Sequence, residues 1–103
     1  MARVLIIDDH DGMREGMAVT LRKHGHEVAA VRSGQEGLAA YKKAPFDVVL
    51  TDLRMEPVDG LEVVRQLRAQ DPEAVVVVVT AFGTIETAVN AMQLGAVDFI
   101  EKP

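Results

Sequence analysis

The chain has 103 residues, no cysteine, and a formal net charge of -5 from 11 basic and 16 acidic side chains. Its size fits one domain, and 49% hydrophobic with 26% charged residues marks a globular chain, not a disordered one. Without cysteine there is no disulfide scaffold, thiolate metal site or cysteine nucleophile. The acidic balance speaks against direct nucleic-acid contact, and the longest apolar run, Ala74 to Val79, is far too short to span a membrane. No signal-peptide layout follows Met1, so a cytoplasmic address is expected.

The first apolar run, Val4 to Ile7, reads as a strand. Met13, Met17 and Leu21 then recur every four residues, a helical face with Asp11 as the expected N-cap and Gly25 at its end. Val28 to Val31 is a weaker strand, suited to a sheet edge. Gly34, Leu38 and Tyr41 line a second helix behind Ser33. Val48 to Leu50 is the third strand, and Leu61, Val64 and Leu67 line a third helix behind Asp59. Val75 to Val79 is the fourth strand. Ile85, Ala88, Val89 and Met92 follow the helical i, i+3, i+4, i+7 pattern between Thr84 and Gly95, and Val97 to Ile100 is the fifth strand.

Short runs of mostly β-branched residues, three of them without polar alternation, imply strands covered on both faces. The apolar helical stripes are read as core. Alternating strands and helices with right-handed crossovers stack into a doubly wound α/β fold, a parallel five-stranded sheet of order 2-1-3-4-5. The chain stops shortly after the last strand, so the expectation is one domain over residues 1–103, truncated before a fifth helix and prone to association or low stability.

In such sheets ligands bind beyond the carboxyl ends of the strands, where strand order reverses. Asp8 and Asp9 follow the first strand, Asp52 the third, Thr80 the fourth and Lys102 the fifth. Singly these are cap, turn or surface residues; their convergence on one edge is the signal. Neighbouring strands lie ~4.8 Å apart, and two like charges ~4 Å apart cost roughly 4 kcal/mol at an effective dielectric near 20. The cluster therefore needs a divalent cation, an ammonium or a raised pKa, and relieving it by Asp8→Asn should stabilise a metal-free chain. Mg²⁺ suits such oxygens. Lys102, roughly 10 Å from Asp52 by strand spacing, can reach across on a flexible stem. A carboxylate nucleophile, a metal and two donors make a phosphoryl-transfer site. His10 reads equally as a proton carrier or an exposed loop residue, and His24-Gly25-His26 reads as a helix-to-strand turn.

Asp8-Asp9, Asp52-Leu53-Arg54-Met55, Asp59-Gly60, Thr80-Ala81 and Lys102-Pro103, in that order and spacing, resemble the receiver domain of bacterial two-component response regulators. The resemblance covers all 103 residues and implies the flavodoxin-like fold, normally with a fifth helix. It makes Asp52 the phosphoacceptor. It makes Asp9 and Asp52 direct Mg²⁺ ligands with the Arg54 backbone carbonyl, and Asp8 a ligand mainly through water. Lys102 would hold the phosphoryl group or pair with Asp52, Thr80 would swing onto it, Phe99 would be the aromatic switch, and Ala81 would leave the phosphoryl open to solvent. The Lys102-Pro103 bond would be cis. The family usually reads Met-Pro-x-Met-Asp-Gly; here Met55-Glu56-Pro57-Val58-Asp59-Gly60 puts Glu56 where Pro is usual. Arg54 and Phe82 flank the acceptor and are expected to tune hydrolysis.

The stretch Phe82 to Val89 with Gly95 to Phe99 is most similar to receivers of sigma-54-type transcriptional activators. The partners so implied are a sensor histidine kinase, an AAA+ ATPase and DNA-binding output module in the same protein, and a second copy through the fourth helix and fifth strand. The expected role is a phosphorylation-activated signalling switch, not an enzyme. A phosphohydrolase with an aspartyl intermediate would need a carboxylate two residues after Asp52, and position 54 is Arg. The alternative is a pseudo-receiver, an interaction module that is never phosphorylated.

Overall fold

The computed structural model describes residues 1–102; the expected cis bond at Lys102-Pro103 lies outside the described residues. The elements follow the order β1 (Arg3–Ile7), α1 (Asp11–Lys23), β2 (Glu27–Val31), α2 (Gly34–Lys43), β3 (Val48–Thr51), α3 (Gly60–Gln70), β4 (Val76–Thr80), α4 (Ile85–Leu94) and β5 (Asp98–Glu101). All strand pairs are parallel, in the expected order β2-β1-β3-β4-β5. β2, the weak run, is an edge strand.

Pleating divides β1 between two cores. Leu5 and Ile7 join Val49, Val76 and Val78 against Tyr41, Val63, Val64 and Leu67 on the side of α2 and α3. Val4 and Ile6 face α1 and pack with Ala18, Met17, Leu21, Val28 and Leu50. Tyr41 also ties α2 to the end of α3 by donating its hydroxyl to Asp71 Oδ2 at 2.6 Å.

Three caps fall where the sequence places them. Ser33 accepts from the Glu36 N–H, Asp59 from the Glu62 N–H, and Thr84 from the Thr87 N–H in a reciprocal capping box. Gly95 closes α4 at φ 112°. The first cap is corrected: His10 caps α1, its Nδ1 accepting from the Met13 N–H at 3.2 Å. Asp11 is the first helical residue instead, where its carboxylate meets the helix N-terminus and pairs with Arg14. His24-Gly25-His26 is the turn expected of it: His24 ends α1, and the His26 ring accepts from the Ala2 N–H.

The α4 stripe is also corrected. Ile85, Val89 and Met92 point to solvent, while Ala91 is buried and Leu94 packs on the main core. α4 is apolar on two sides, and helical periodicity cannot say which side meets the sheet. Met13, Met17 and Leu21 on α1 are only half-buried and line an open apolar groove with Leu50.

Candidate functional site

The sheet itself carries the site. Asp8, Asp52 and Lys102 each stand one residue past a strand, yet each remains in the ladder. The Asp8 N–H donates to Val31 O, that of Asp52 to Ile7 O and that of Lys102 to Thr80 O. Three chemical side chains thus leave one edge from backbone fixed by the sheet. Gly60 tightens the arrangement: a Cβ there would lie 2.1 Å from Asp52 O, so the start of α3 rests directly on the Asp52 peptide.

Asp8, Thr80 and Asp52 are buried, and Asp9 is exposed. Asp8, Asp9 and Asp52 each bring a carboxylate oxygen within 4.8 Å of the others. Lys102 Nζ lies between two of them, 2.9 Å from Asp8 Oδ2 and 3.5 Å from Asp52 Oδ2. The long stem does cross the strand spacing, and its closer partner is Asp8. Asp8 Oδ1 accepts from the His10 N–H, and Asp52 Oδ1 from the Leu53 N–H at 2.7 Å. Hard oxygen donors on three side chains, converging at the rim, fit a Mg²⁺ ion.

Thr80 Oγ1 accepts from the Phe82 N–H at 3.1 Å, so its hydroxyl is held within its own loop. A Thr opening a strand-to-helix loop is the sequence signal for such a turn, because its hydroxyl can accept from the amide two residues on. Arg54 and Phe82 meet across the mouth, with the guanidinium 4.5 Å from the ring centroid. Asp9, Asp52, Arg54, Ala81, Phe82 and Lys102 line one cavity of about 510 Å³. Asp9, Arg54, Glu56, Asp59 and Thr87 line a second of about 590 Å³ beside it. Glu56 precedes a cis Pro57 and adds its carboxylate to that second cavity, not to the Lys102 cluster. Phe99 is half-buried at the far side of the β4–α4 loop. His10 serves as cap and lines the site cavity.

The fold and this edge define a doubly wound α/β domain with an acidic pocket at the point where strand order reverses. Residues 4–103 match the response regulator receiver domain, and the chain belongs to that family of signalling domains. It is 36% identical over 100 residues to the transcriptional regulatory protein ZraR of Salmonella typhimurium, covering 97% of this chain and 23% of that protein. It is 39% identical over 101 residues to the alginate biosynthesis transcriptional regulatory protein AlgB of Pseudomonas aeruginosa, covering 98% and 22%. Among solved structures, NtrX of Brucella abortus superposes with a TM-score of 0.92 at 36% identity, over 99% of this chain and 23% of that one. The chemotaxis protein CheY4 of Vibrio cholerae superposes with a TM-score of 0.93 at 32% identity, over 100% and 88%. The chain spans less than a quarter of the curated relatives it matches. Among the described residues, no helix is long and apolar enough to cross a membrane.

Proposed function

We propose that this domain is a phosphorylation switch whose acceptor is Asp52. The observation that carries the reading is the convergence of Asp8, Asp9, Asp52 and Lys102 at one rim of the sheet. Asp52 Oδ2 faces the ammonium, while Oδ1 is held by the Leu53 N–H. The carboxylate attacks phosphorus as the P–N bond of a partner's phosphohistidine breaks, and the imidazole leaves with a proton. Asp8, Asp9 and Asp52, with the Arg54 carbonyl, would hold Mg²⁺, which supplies positive charge against the transferring phosphoryl oxygens. Lys102 donates to the phosphoryl group from the other side. Thr80 brings its hydroxyl, still accepting from the Phe82 N–H, to a phosphoryl oxygen.

That differential contact shifts a two-state equilibrium. Phe99 is the aromatic that reports it on the α4–β5 face, where Ile85, Val89, Met92, Val97 and Ile100 are exposed. That face would meet a second copy or an output module. Likeness to transcriptional regulators several times longer supports a DNA-binding output with an AAA+ ATPase, a sensor histidine kinase as donor, and a cytoplasmic setting.

Incubation with acetyl phosphate tests the reading. The intact mass rises by one phosphoryl group with Mg²⁺ and stays unchanged in chelator. A chain unmodified under both conditions is the pseudo-receiver.

A further inference from the structure

Gly83, in the β4–α4 loop, lies directly against the Phe99 ring. A Cβ at Gly83 would be 2.5 Å from Phe99 Cε1 and 2.9 Å from Cζ, closer than side-chain atoms approach one another. The next atom is the Glu101 Cγ at 3.6 Å, so the ring is the tight neighbour. β5 fixes the other end of Phe99: its backbone pairs with Val78 of β4, two places before Thr80. The ring therefore rests in a seat made of bare backbone. A side chain at position 83 would fill that seat.

The seat is mechanically tied to the site. Thr80 begins the loop, and its Oγ1 accepts from the Phe82 N–H, the residue next to Gly83. If the hydroxyl turns toward Asp52, that N–H loses its partner unless the loop follows. A loop that keeps this bond follows the hydroxyl. Gly83 moves with Phe82, and the surface under the ring moves with it.

We infer that Gly83 is a positioning residue for the switch: its missing side chain seats the Phe99 ring in the unphosphorylated state, and the Thr80–Phe82 bond passes movement of Thr80 to that seat. This rests on the phosphoacceptor reading, which it deepens by naming the contact that carries the signal outward. An atom at position 83 evicts the ring without phosphorylation and lowers the population of the resting state.

The test is Gly83→Ala, followed by NMR of ¹³C-labelled phenylalanine and by titration with beryllium fluoride and Mg²⁺, the acyl-phosphate mimic. In the metal-free variant the Phe99 ring signal moves toward the position the wild type reaches with beryllium fluoride. Half-saturation falls by about 5-fold, the lower end of typical coupling between sites. In a Phe99→Leu background, which lacks the clashing ring atoms, Gly83→Ala leaves half-saturation unchanged; the same double variant restores folding should the single one fail to fold. Unmoved Phe99 signals in Gly83→Ala, or an undiminished shift in the Phe99→Leu background, would overturn the inference. A wild type deaf to beryllium fluoride overturns the phosphoacceptor reading and the transmission with it, while the ring signal of the metal-free variant still decides whether the seat exists.

Discussion

Lys102 Nζ makes its shortest contact, 2.9 Å, with Asp8 rather than with the proposed acceptor Asp52. Both partners are almost wholly buried, at 7% and 1% side-chain exposure. The ammonium is thus the counter-charge that lets two carboxylates sit side by side beneath the rim. Breaking a buried pair by removing one partner costs about 3 kcal/mol or more, because the other charge stays buried. Lys102→Met should lose about that much stability to urea. A loss within about 0.5 kcal/mol, the scale of surface substitutions, would show that the pair is not what holds the rim together.

Asp9 contrasts with Asp8. It is exposed, and among the described residues it makes no side-chain hydrogen bond or ion pair. The stabilisation expected of Asp8→Asn therefore moves to Asp9, since Asp8 would lose its Lys102 contact. Asp9→Asn should gain about 1 kcal/mol in chelator, the scale of like-charge repulsion across ~4 Å of water, since Asp9 is exposed. It should also lose most of the extra stability that Mg²⁺ gives the wild type. Paired urea curves with and without Mg²⁺ read both effects.

Far from the site, the Tyr41–Asp71 bond sets a pH dependence. The Tyr41 hydrogen bond holds the Asp71 carboxyl below its ordinary 3.8. The stability it contributes is present above pH 3.8 and drains away as pH falls through the lower folded value. Burial first, and Asp71 second, push the Tyr41 phenol up from 10.0 to about 12. That contribution is complete below pH 10 and is lost as pH rises toward about 12. Tyr41→Phe should flatten both limbs of a stability profile; unchanged acid and alkaline limbs would contradict this.

The Arg54–Phe82 stack covers the mouth of the site cavity. Phe82→Ala removes the ring and frees the guanidinium, so water reaches the phosphoryl more easily. The phosphorylated form should decay a few-fold faster, as expected from an exposed cation–π contact of about 0.5–1 kcal/mol. Decay of acetyl-phosphate-labelled protein after donor removal measures it, and equal lifetimes would assign the pair no part in hydrolysis.

How much of this was legible before folding depends on what each residue's neighbours are. Asp8, Asp52, Thr80 and Lys102 were readable because a parallel sheet sends successive strand ends to one edge, so chain position alone assigns the face. The caps Ser33, Asp59 and Thr84 were readable because a cap is a local event. The outward turn of Ile85, Val89 and Met92 was not, since periodicity finds a stripe without finding its partner. The His10 cap is hidden in the sequence, because Asp11 beside it is the better cap former by type. Lys102 choosing Asp8, the Thr80–Phe82 bond and the Phe99 ring over Gly83 are contacts between side chains and loops whose paths strand order does not fix.

The central claim is that Asp52 carries the phosphoryl group, and borohydride trapping tests it most directly. The protein is labelled with acetyl phosphate and Mg²⁺, reduced, digested and mapped by mass spectrometry. Reduction of the acyl phosphate should leave homoserine at position 52, and Asp52→Asn should yield no reduced site. Homoserine at Asp8 or Asp9, or undiminished labelling of Asp52→Asn, would contradict the account.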